Sequence, residues 1–113
     1  MRTRMFIASI FLAAFSTMFA STLVASPAGA ATLRTWERLA QCESGGRWHI
    51  NTGNGYYGGL QFSRSTWKAF GGRKFAHNAH HAKKREQIKI AERVRRHQGW
   101  GAWPSCSRRI GKR

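Results

Sequence analysis

The stretch QCESGGRW, residues 41–48, places a single glutamate, Glu43, between a cysteine and a pair of glycines. Carboxylates are scarce in this chain of 113 residues, because 20 Lys and Arg stand against only four acidic residues, all of them Glu. A glutamate beside a glycine bend is therefore a rare feature of this sequence and the first candidate for a chemical role.

The residues before this stretch predict a helix that carries Glu43 on its inner face. The i, i+3, i+4, i+7 spacing of one helical face joins Trp36, Leu39, Ala40 and Glu43. We expect Thr35 to cap this helix and Gly45–Gly46 to end it. A carboxylate on an inward face is partly desolvated, which raises its pKa toward the range of a general acid. The periodicity leaves open a glutamate that simply points to water.

The next segment predicts a small hairpin rich in neutral hydrogen-bonding groups. Turn residues at 51–55 precede two strand-like pieces, Tyr56–Tyr57 and Leu60–Phe62, on either side of Gly58–Gly59. The two glycines would let another group or a ligand approach the backbone closely. Uncharged Asn, Thr, Gln and Tyr side chains suit a sugar better than a phosphate, although an ordinary glycine-rich hairpin explains the composition equally well.

Two further helices complete the predicted fold. The first is short, residues 66–70, with Ser63 or Ser65 as its cap, and the second runs from about Glu86 to Gln98. The inner face of the second helix is predicted to hold Ile88, Ala91, Val94 and Gln98. Its remaining glutamates, Glu86 and Glu92, lie off that face, so we expect them to meet solvent and pair with neighbouring cations.

A basic segment, residues 73–85, separates these two helices. It contains His77, His80 and His81, whose helical spacing could bind a metal. No carboxylate or cysteine accompanies them, so a solvated surface is the favoured interpretation. The strong positive charge of the whole chain implies a polyanionic neighbour, such as an anionic wall polymer, an anionic lipid or a nucleic acid.

Residues 1–30 have the pattern of a secretory signal peptide. Arg2 and Arg4 precede a mostly apolar run, Pro27 ends it, and the triplet Ala-Gly-Ala at 28–30 suits a signal peptidase. A transmembrane anchor is the alternative, because the run approaches the ~20 residues that span a bilayer. Cleavage would leave one domain, residues 31–113, with a basic C-terminal tail, and loss of the two arginines would lower the net charge from +16 to +14.

A domain of this size often needs a covalent staple, and the chain offers one pair of cysteines, Cys42 and Cys106. In an exported protein an even count indicates a disulfide. Two free thiols or a metal pair are the alternatives, but cysteines so far apart are a poor metal signal. A bond across their separation of 64 residues would be worth about 4 kcal/mol in the loop-entropy model.

The four glutamates predict a reaction that uses one acid. Glu37 belongs to a first helical turn and Glu86 and Glu92 to a charged face, which leaves Glu43 as the candidate. A glycosidase with two carboxylates needs a partner within about 5–9.5 Å, and no second candidate is close in sequence. Glu43 would therefore protonate a glycosidic oxygen, while an N-acetyl group or 6-hydroxyl of the substrate supplies the nucleophile.

These motifs closely resemble the resuscitation-promoting factor family, over residues 35–111. The resemblance is carried by WERLAQCESGG at 36–46, INTGNGYYGGLQF at 50–62, REQI at 85–88 and QGWGAWPSC at 98–106. It implies a small lysozyme-like fold of the α+β class, mostly helical, with a short β-hairpin and one disulfide. It further implies a secreted enzyme that cleaves peptidoglycan glycan strands and promotes the regrowth of dormant actinobacterial cells.

The resemblance also implies roles for single residues. Glu43 corresponds to the catalytic glutamate of the family and Cys42 and Cys106 to its disulfide, and neither a cofactor nor a metal is expected. Family substrate contacts fall on Asn54, Tyr56, Gln61, Thr66 and Gln98. The bond cleaved would be the β-1,4 linkage between N-acetylmuramic acid and N-acetylglucosamine, by hydrolysis or by lytic transglycosylation.

Two features depart from the family pattern. Residues 73–85 are unusually basic, and Ser63 stands where some members carry an acidic residue. We expect a monomer whose cationic surface meets anionic wall polymers, with other wall hydrolases as further candidate partners. The alternative function is a secreted cationic wall-binding or growth-signalling protein with a catalytically weak lysozyme fold. Specific nucleic-acid binding is not expected, since it rests on charge alone.

Overall fold

The computed structural model describes residues 29–112. The leader predicted for residues 1–30 therefore lies almost wholly outside the described residues. Within residues 29–112, no helix combines the length and apolar character needed to cross a membrane.

Four α-helices and one two-stranded sheet make up the described part of the chain. Helix α1 is Leu33–Ser44, α2 is Arg64–Ala69, α3 is Lys84–Gln98 and α4 is Pro104–Arg109. Strands β1 (Tyr56–Tyr57) and β2 (Phe62–Ser63) pair antiparallel, with Tyr56 opposite Ser63 and Tyr57 opposite Phe62. Short 3-10 turns lie at Gly72–Lys74, Ala79–His81 and Trp100–Ala102. The mostly helical α+β class predicted from the sequence is confirmed.

The N-cap of helix α1 lies three residues earlier than predicted. Thr32 is the N-cap, and its side chain accepts a hydrogen bond from the backbone N–H of Thr35, which is buried inside the first turn. The prediction of Thr35 as the cap is therefore wrong, because the first threonine of the pair already satisfies the free N–H groups. The predicted end is confirmed: Gly45 takes a left-handed conformation at φ 68° and donates to the carbonyls of Ala40 and Gln41.

Helix α3 also differs from its prediction. It begins at Lys84, and Glu86 accepts a hydrogen bond from the N–H of Lys83 at 2.9 Å, so this glutamate closes the N-terminus of the helix. Its buried face consists of Gln87, Ile90, Ala91 and Val94. Ala91 and Val94 are buried as predicted, but Ile88 is only half-buried and Gln98 is exposed, so half of the predicted inner face was wrong. The prediction failed because it counted only apolar residues as buried, whereas the polar residue Gln87 occupies one of the buried positions.

Gln87 is fully buried because it fastens the hairpin to α3. Its Nε2 donates to the carbonyl of Trp48 at 2.8 Å, and its Oε1 accepts from the N–H of Gly59 at 2.9 Å. A Cβ on Gly59 would stand 2.4 Å from the Trp48 ring, and one on Gly58 would stand 2.5 Å from Gln87 Oε1. The close approach predicted for these glycines is thus made by the protein's own core.

Three buried tryptophans hold the layers together. Trp36 of α1 packs against Trp103 with ring centroids 5.4 Å apart, and Trp67 of α2 packs against Phe62 of β2 at 5.2 Å. The predicted disulfide joins Cys42 to Cys106, tying the end of α1 to α4. The end of α1, the hairpin and the start of α4 therefore meet at one place.

Candidate active site

Glu43 lies in the last turn of α1 at the point where these elements meet. Its side chain is half-buried, and this burial raises the pKa of its carboxyl above the usual value of 4.5. It lines a cavity of about 310 Å³ together with Tyr56, Gln61, Ala102, Trp103, Pro104 and Ser105. The predicted inward direction of Glu43 is confirmed. Its side chain faces an open cavity and not the closed hydrophobic core.

The other three glutamates are occupied elsewhere. Glu37 forms an ion pair with Lys84, Glu86 accepts from the backbone of Lys83, and Glu92 forms an ion pair with Arg95. Among the residues that line the cavity beside Glu43, and within the described part of the chain, no second carboxylate is present. Glu43 itself belongs to neither of the two ion pairs found in residues 29–112, so it is a partly desolvated acid whose carboxyl is available to donate a proton.

Glu86 and Glu92 both depart from their prediction. Glu86 is half-buried and accepts from the backbone of Lys83 instead of pairing with a cation, and the larger departure is that of Glu92. It was expected to face solvent, but its side chain is only 14% exposed. Its Oε2 accepts from the indole Nε1 of Trp36 at 2.8 Å and from the backbone N–H of Ala31 at 2.9 Å. The physical reason is that the indole of a fully buried tryptophan needs an acceptor, which periodicity does not reveal.

A second cavity, of about 90 Å³, continues the first one away from Glu43. The two share the lining residues Tyr56, Gln61, Ala102 and Trp103. The second adds polar groups from three elements and the apolar side chains beneath them: Phe62, Ser63, Thr66, Val94 and Gln98. We call the combined space the groove. It runs from Glu43 at one end to Thr66 and Gln98 at the other.

The structure brings four of the five predicted substrate contacts into the groove: Tyr56, Gln61, Thr66 and Gln98. Asn54 does not line either cavity. Its Oδ1 accepts from the N–H of Tyr56 at 3.0 Å, and its Nδ2 lies 3.4 Å from Gln61 Oε1. Asn54 is placed to hold the lining residues, and the substrate contacts themselves remain predictions.

Local backbone geometry directs two of these side chains. Gln61 has φ 56°, the one positive φ at a non-glycine position in residues 29–112, and its Nε2 donates to the carbonyl of Gly58 at 3.0 Å. Such a conformation is costly for a residue with a Cβ, so surrounding contacts must enforce it. Thr66 accepts a hydrogen bond from the Ser63 hydroxyl at 3.0 Å. Both side chains are therefore fixed before any ligand arrives.

Sequence reasoning missed part of the groove wall. Pro104 and Ser105 line the cavity beside Glu43, although they lie 61 and 62 positions away in the chain. The signal was present: Ser105 precedes Cys106 and Glu43 follows Cys42, so the disulfide brings their neighbours together. Trp103, which was not singled out from the sequence, lines both cavities.

The three histidines of the basic segment have different surroundings. In the part of the chain that the structure describes, no group of three or more His, Cys, Asp or Glu could hold a metal ion. His80 is half-buried and stacks on Tyr57 at 5.2 Å between centroids, while its neighbours His77 and His81 are exposed. Burial and the nearby rings of His81 and His49 lower the pKa of His80. The expected solvated surface therefore describes two of the three histidines.

Comparison with known proteins identifies the family to which the chain belongs. A model of the transglycosylase-like domain family matches residues 30–106, and the chain belongs to that family. It is 60% identical over 92 residues to resuscitation-promoting factor Rpf1 of Corynebacterium glutamicum, covering 81% of this chain and 48% of that protein. The resemblance to resuscitation-promoting factors is thus confirmed.

Two further relatives show the same extent of similarity. Resuscitation-promoting factor Rpf of Micrococcus luteus is 58% identical over 86 residues, which are 76% of this chain and 37% of that protein. Resuscitation-promoting factor RpfE of Mycobacterium tuberculosis is 55% identical over 85 residues, which are 75% of this chain and 48% of that protein. The chain spans about half or less of the length of these relatives.

Proposed function

We propose that this chain is an exported enzyme that cleaves the β-1,4 bond between N-acetylmuramic acid and N-acetylglucosamine in peptidoglycan, with Glu43 as the acid. One observation carries the proposal. Glu43 is a half-buried carboxylate that forms no ion pair with any of residues 29–112, and it lies at the end of a groove lined by neutral hydrogen-bonding groups. Membership of the transglycosylase-like family supports it.

The proposed reaction needs one proton donor and a nucleophile from the substrate. The carboxyl of Glu43 gives its proton to the glycosidic oxygen as the bond from that oxygen to the muramyl C1 breaks. The 6-hydroxyl of the muramyl residue then attacks C1, and its proton returns to the Glu43 carboxylate. The products are a 1,6-anhydro end and a free hydroxyl on the leaving sugar. Burial supports the first step because it favours the protonated acid.

The groove beyond Glu43 would bind the glycan strand. Tyr56 is 50% exposed, so its ring can offer an apolar face against which a sugar ring stacks. The side chains of Gln61, Thr66 and Gln98 offer donors and acceptors to sugar hydroxyl and acetamido groups. Asn54 would act through Tyr56 and Gln61, which it contacts.

The decisive experiment is mass spectrometry of the glycan fragments released from purified peptidoglycan. We expect products with 1,6-anhydro-N-acetylmuramic acid ends, and we expect Glu43→Gln to lose them. Glu37→Gln is the matched control, because that glutamate pairs with Lys84 on the surface away from the groove. Products with reducing ends would mean that water, and not the 6-hydroxyl, attacks C1, so that the enzyme is a hydrolase. No product dependent on Glu43, where a known lytic enzyme works, would reject the enzymatic proposal.

The cellular role that we propose is wall remodelling that supports the regrowth of dormant cells. The relatives are named as resuscitation-promoting factors, and this is the observation behind the role. Anionic wall polymers and other wall hydrolases are proposed partners of a monomeric, extracellular or wall-associated protein. Exposed cations of the basic segment, such as Arg73, Lys74 and Arg85, support the first partner. Wall binding that does not weaken as salt is raised would contradict it.

A second candidate is a cationic wall-binding or growth-signalling protein with little catalysis. The specific observation in its favour is the large excess of basic residues, 20 Lys and Arg against four Glu. The two candidates differ in their dependence on Glu43. If Glu43→Gln stimulated regrowth as well as the unmodified protein does, the signalling candidate would replace the enzyme.

A further inference from the structure

The N-terminal end of the described chain is bound to α3 through Glu92. The backbone nitrogen of Ala31 lies 2.9 Å from Glu92 Oε2, although 61 positions separate the two residues. Ala31 directly follows the Ala-Gly-Ala triplet at 28–30, the pattern that predicts cleavage by a signal peptidase. The nitrogen that cleavage would release is therefore already placed on a carboxylate.

The surroundings of Glu92 form a corner that is largely removed from solvent. Oε2 accepts from both Ala31 and the Trp36 indole, and Oε1 lies 3.3 Å from a guanidinium nitrogen of Arg95. The side chains of Glu92 and Arg95 are only 14% and 16% exposed. A charge placed in this corner is weakly screened, so a change of charge there has a larger effect than on the surface.

We propose that the Ala30–Ala31 bond is the processing site and that the α-ammonium group of the new N-terminus, Ala31, forms an ion pair with Glu92. Hydrolysis adds one water across this peptide bond. The carboxylate leaves on Ala30, and the nitrogen of Ala31 takes up protons to become an ammonium group. This inference rests on the predicted export and is independent of the catalytic role of Glu43.

Cleavage changes the kind of bond while the geometry stays in place. Before cleavage, a neutral amide N–H donates to Glu92. After cleavage, an ammonium group occupies the same position, so the bond to the carboxylate gains the attraction between two opposite charges in a corner that is largely removed from solvent. Arg95 also donates to the carbonyl of Gly29, which departs with the leader, and it keeps its contact with Glu92. Processing therefore removes one hydrogen bond of Arg95 and adds an attraction between opposite charges at Glu92.

This anchor supports the wall of the groove. Glu92 fixes the indole of Trp36, which is fully buried and packs against Trp103 with ring centroids 5.4 Å apart. Trp103 lines the cavity beside Glu43, and its indole donates to the carbonyl of Leu60 at 3.0 Å. A stronger bond at the N-terminus thus stabilises the layer on which the groove is built.

The first test locates the new N-terminus. The full chain, with its leader, is expressed in a secreting actinobacterial host, and the protein in the culture supernatant is measured by intact mass spectrometry. We expect a chain that begins at Ala31. A chain that begins at Thr32 or elsewhere, or that keeps its leader, would overturn the proposal.

The second test measures the coupling between the terminus and Glu92. Thermal unfolding is compared for the processed chain and for the same chain with Gly29–Ala30 retained in front, each with Glu92 and with Glu92→Gln. We expect the extension to lower the Tm by roughly 4 °C or more when Glu92 is present. In the Glu92→Gln background, we expect the extension to lower the Tm by less than about a quarter of that amount.

A matched control separates this pair from a general effect of the extension. Glu37→Gln removes the glutamate of the surface ion pair with Lys84. In that background, the extension should lower the Tm as much as it does in the unmodified protein. Equal shifts with Glu92 and with Glu92→Gln would overturn the proposal. Should Glu92→Gln fail to fold, a crystal structure of the secreted chain decides. A nitrogen of Ala31 within about 3.2 Å of Glu92 supports the pair, and a longer separation overturns it.

Discussion

Two half-buried glutamates, Glu43 at the end of α1 and Glu92 in the middle of α3, differ in what surrounds them. Glu92 has donors on both oxygens: a backbone N–H, an indole and a guanidinium. Glu43 lies in an open cavity, and in the described residues it belongs to neither of the two ion pairs. Burial alone therefore does not make a carboxylate reactive. An acid can serve a ligand only when the protein leaves its oxygens available.

The largest expected effect is on activity at Glu43. Glu43→Gln keeps the shape of the side chain but removes the proton that it can donate, so release of glycan fragments should fall by roughly 10²–10⁴-fold. The rate of fragment release from purified peptidoglycan measures this change. A loss of less than about tenfold would mean that burial of Glu43 has no catalytic purpose.

The next largest effect concerns the covalent bond beside Glu43. Replacing both Cys42 and Cys106 with Ser opens a loop of 64 residues, so the free energy of unfolding should fall by about 4 kcal/mol. Urea unfolding of the double variant and of the unmodified protein measures the difference. A loss below about 1 kcal/mol would show that packing, and not the disulfide, holds the end of α1 against α4.

A smaller effect on stability is expected at Glu92. Glu92→Gln keeps an acceptor for the Trp36 indole but removes the charge that faces Arg95, so it should cost about 1–2 kcal/mol. The Tm should fall by roughly 4–8 °C for each kcal/mol in a domain of this size. Thermal unfolding followed by circular dichroism measures it. If Glu92→Gln left the Tm unchanged but abolished activity, Glu92 would have a catalytic role and not the structural role that we infer.

The smallest effect is the pH dependence of stability at Glu43. Burial raises its pKa in the folded protein above the usual 4.5, so the folded state binds the proton more tightly than the unfolded state. The free energy of unfolding therefore falls as the pH rises from the unfolded-state pKa of Glu43 through its raised folded-state pKa. The loss of stability persists at higher pH. We expect Glu43→Gln to be slightly more stable than the unmodified protein at pH 7, with the difference disappearing below pH 4.5. A difference that is independent of pH would contradict this origin.

Much of the groove could be predicted from local sequence. The end of α1 at Gly45 and the presence of a hairpin around Gly58–Gly59 follow from glycine and from short-range patterns. The failures concern polar groups in the interior. Gln87 and Glu92 are buried because distant backbone and indole groups need partners, and a pattern based on apolar residues cannot show that need.

The long-range side of the groove was harder to predict for a different reason. Pro104 and Ser105 reach Glu43 only through the disulfide, and a sequence gives the pairing of two cysteines without the orientation of the chains beside them. Asn54 shows a related limit, because a sequence motif names a residue without the direction of its side chain. That side chain bonds to Tyr56 and Gln61 and does not line the groove.

The packing of Trp48 against the hairpin limits how this sequence can drift during evolution. Gly59 and Gly101 are both glycines for which no left-handed backbone is required, yet a methyl group at position 101 would meet open space. At position 59 it would stand 2.4 Å from the Trp48 ring. Mutation to alanine should therefore persist in a lineage at position 101 and be removed by selection at position 59.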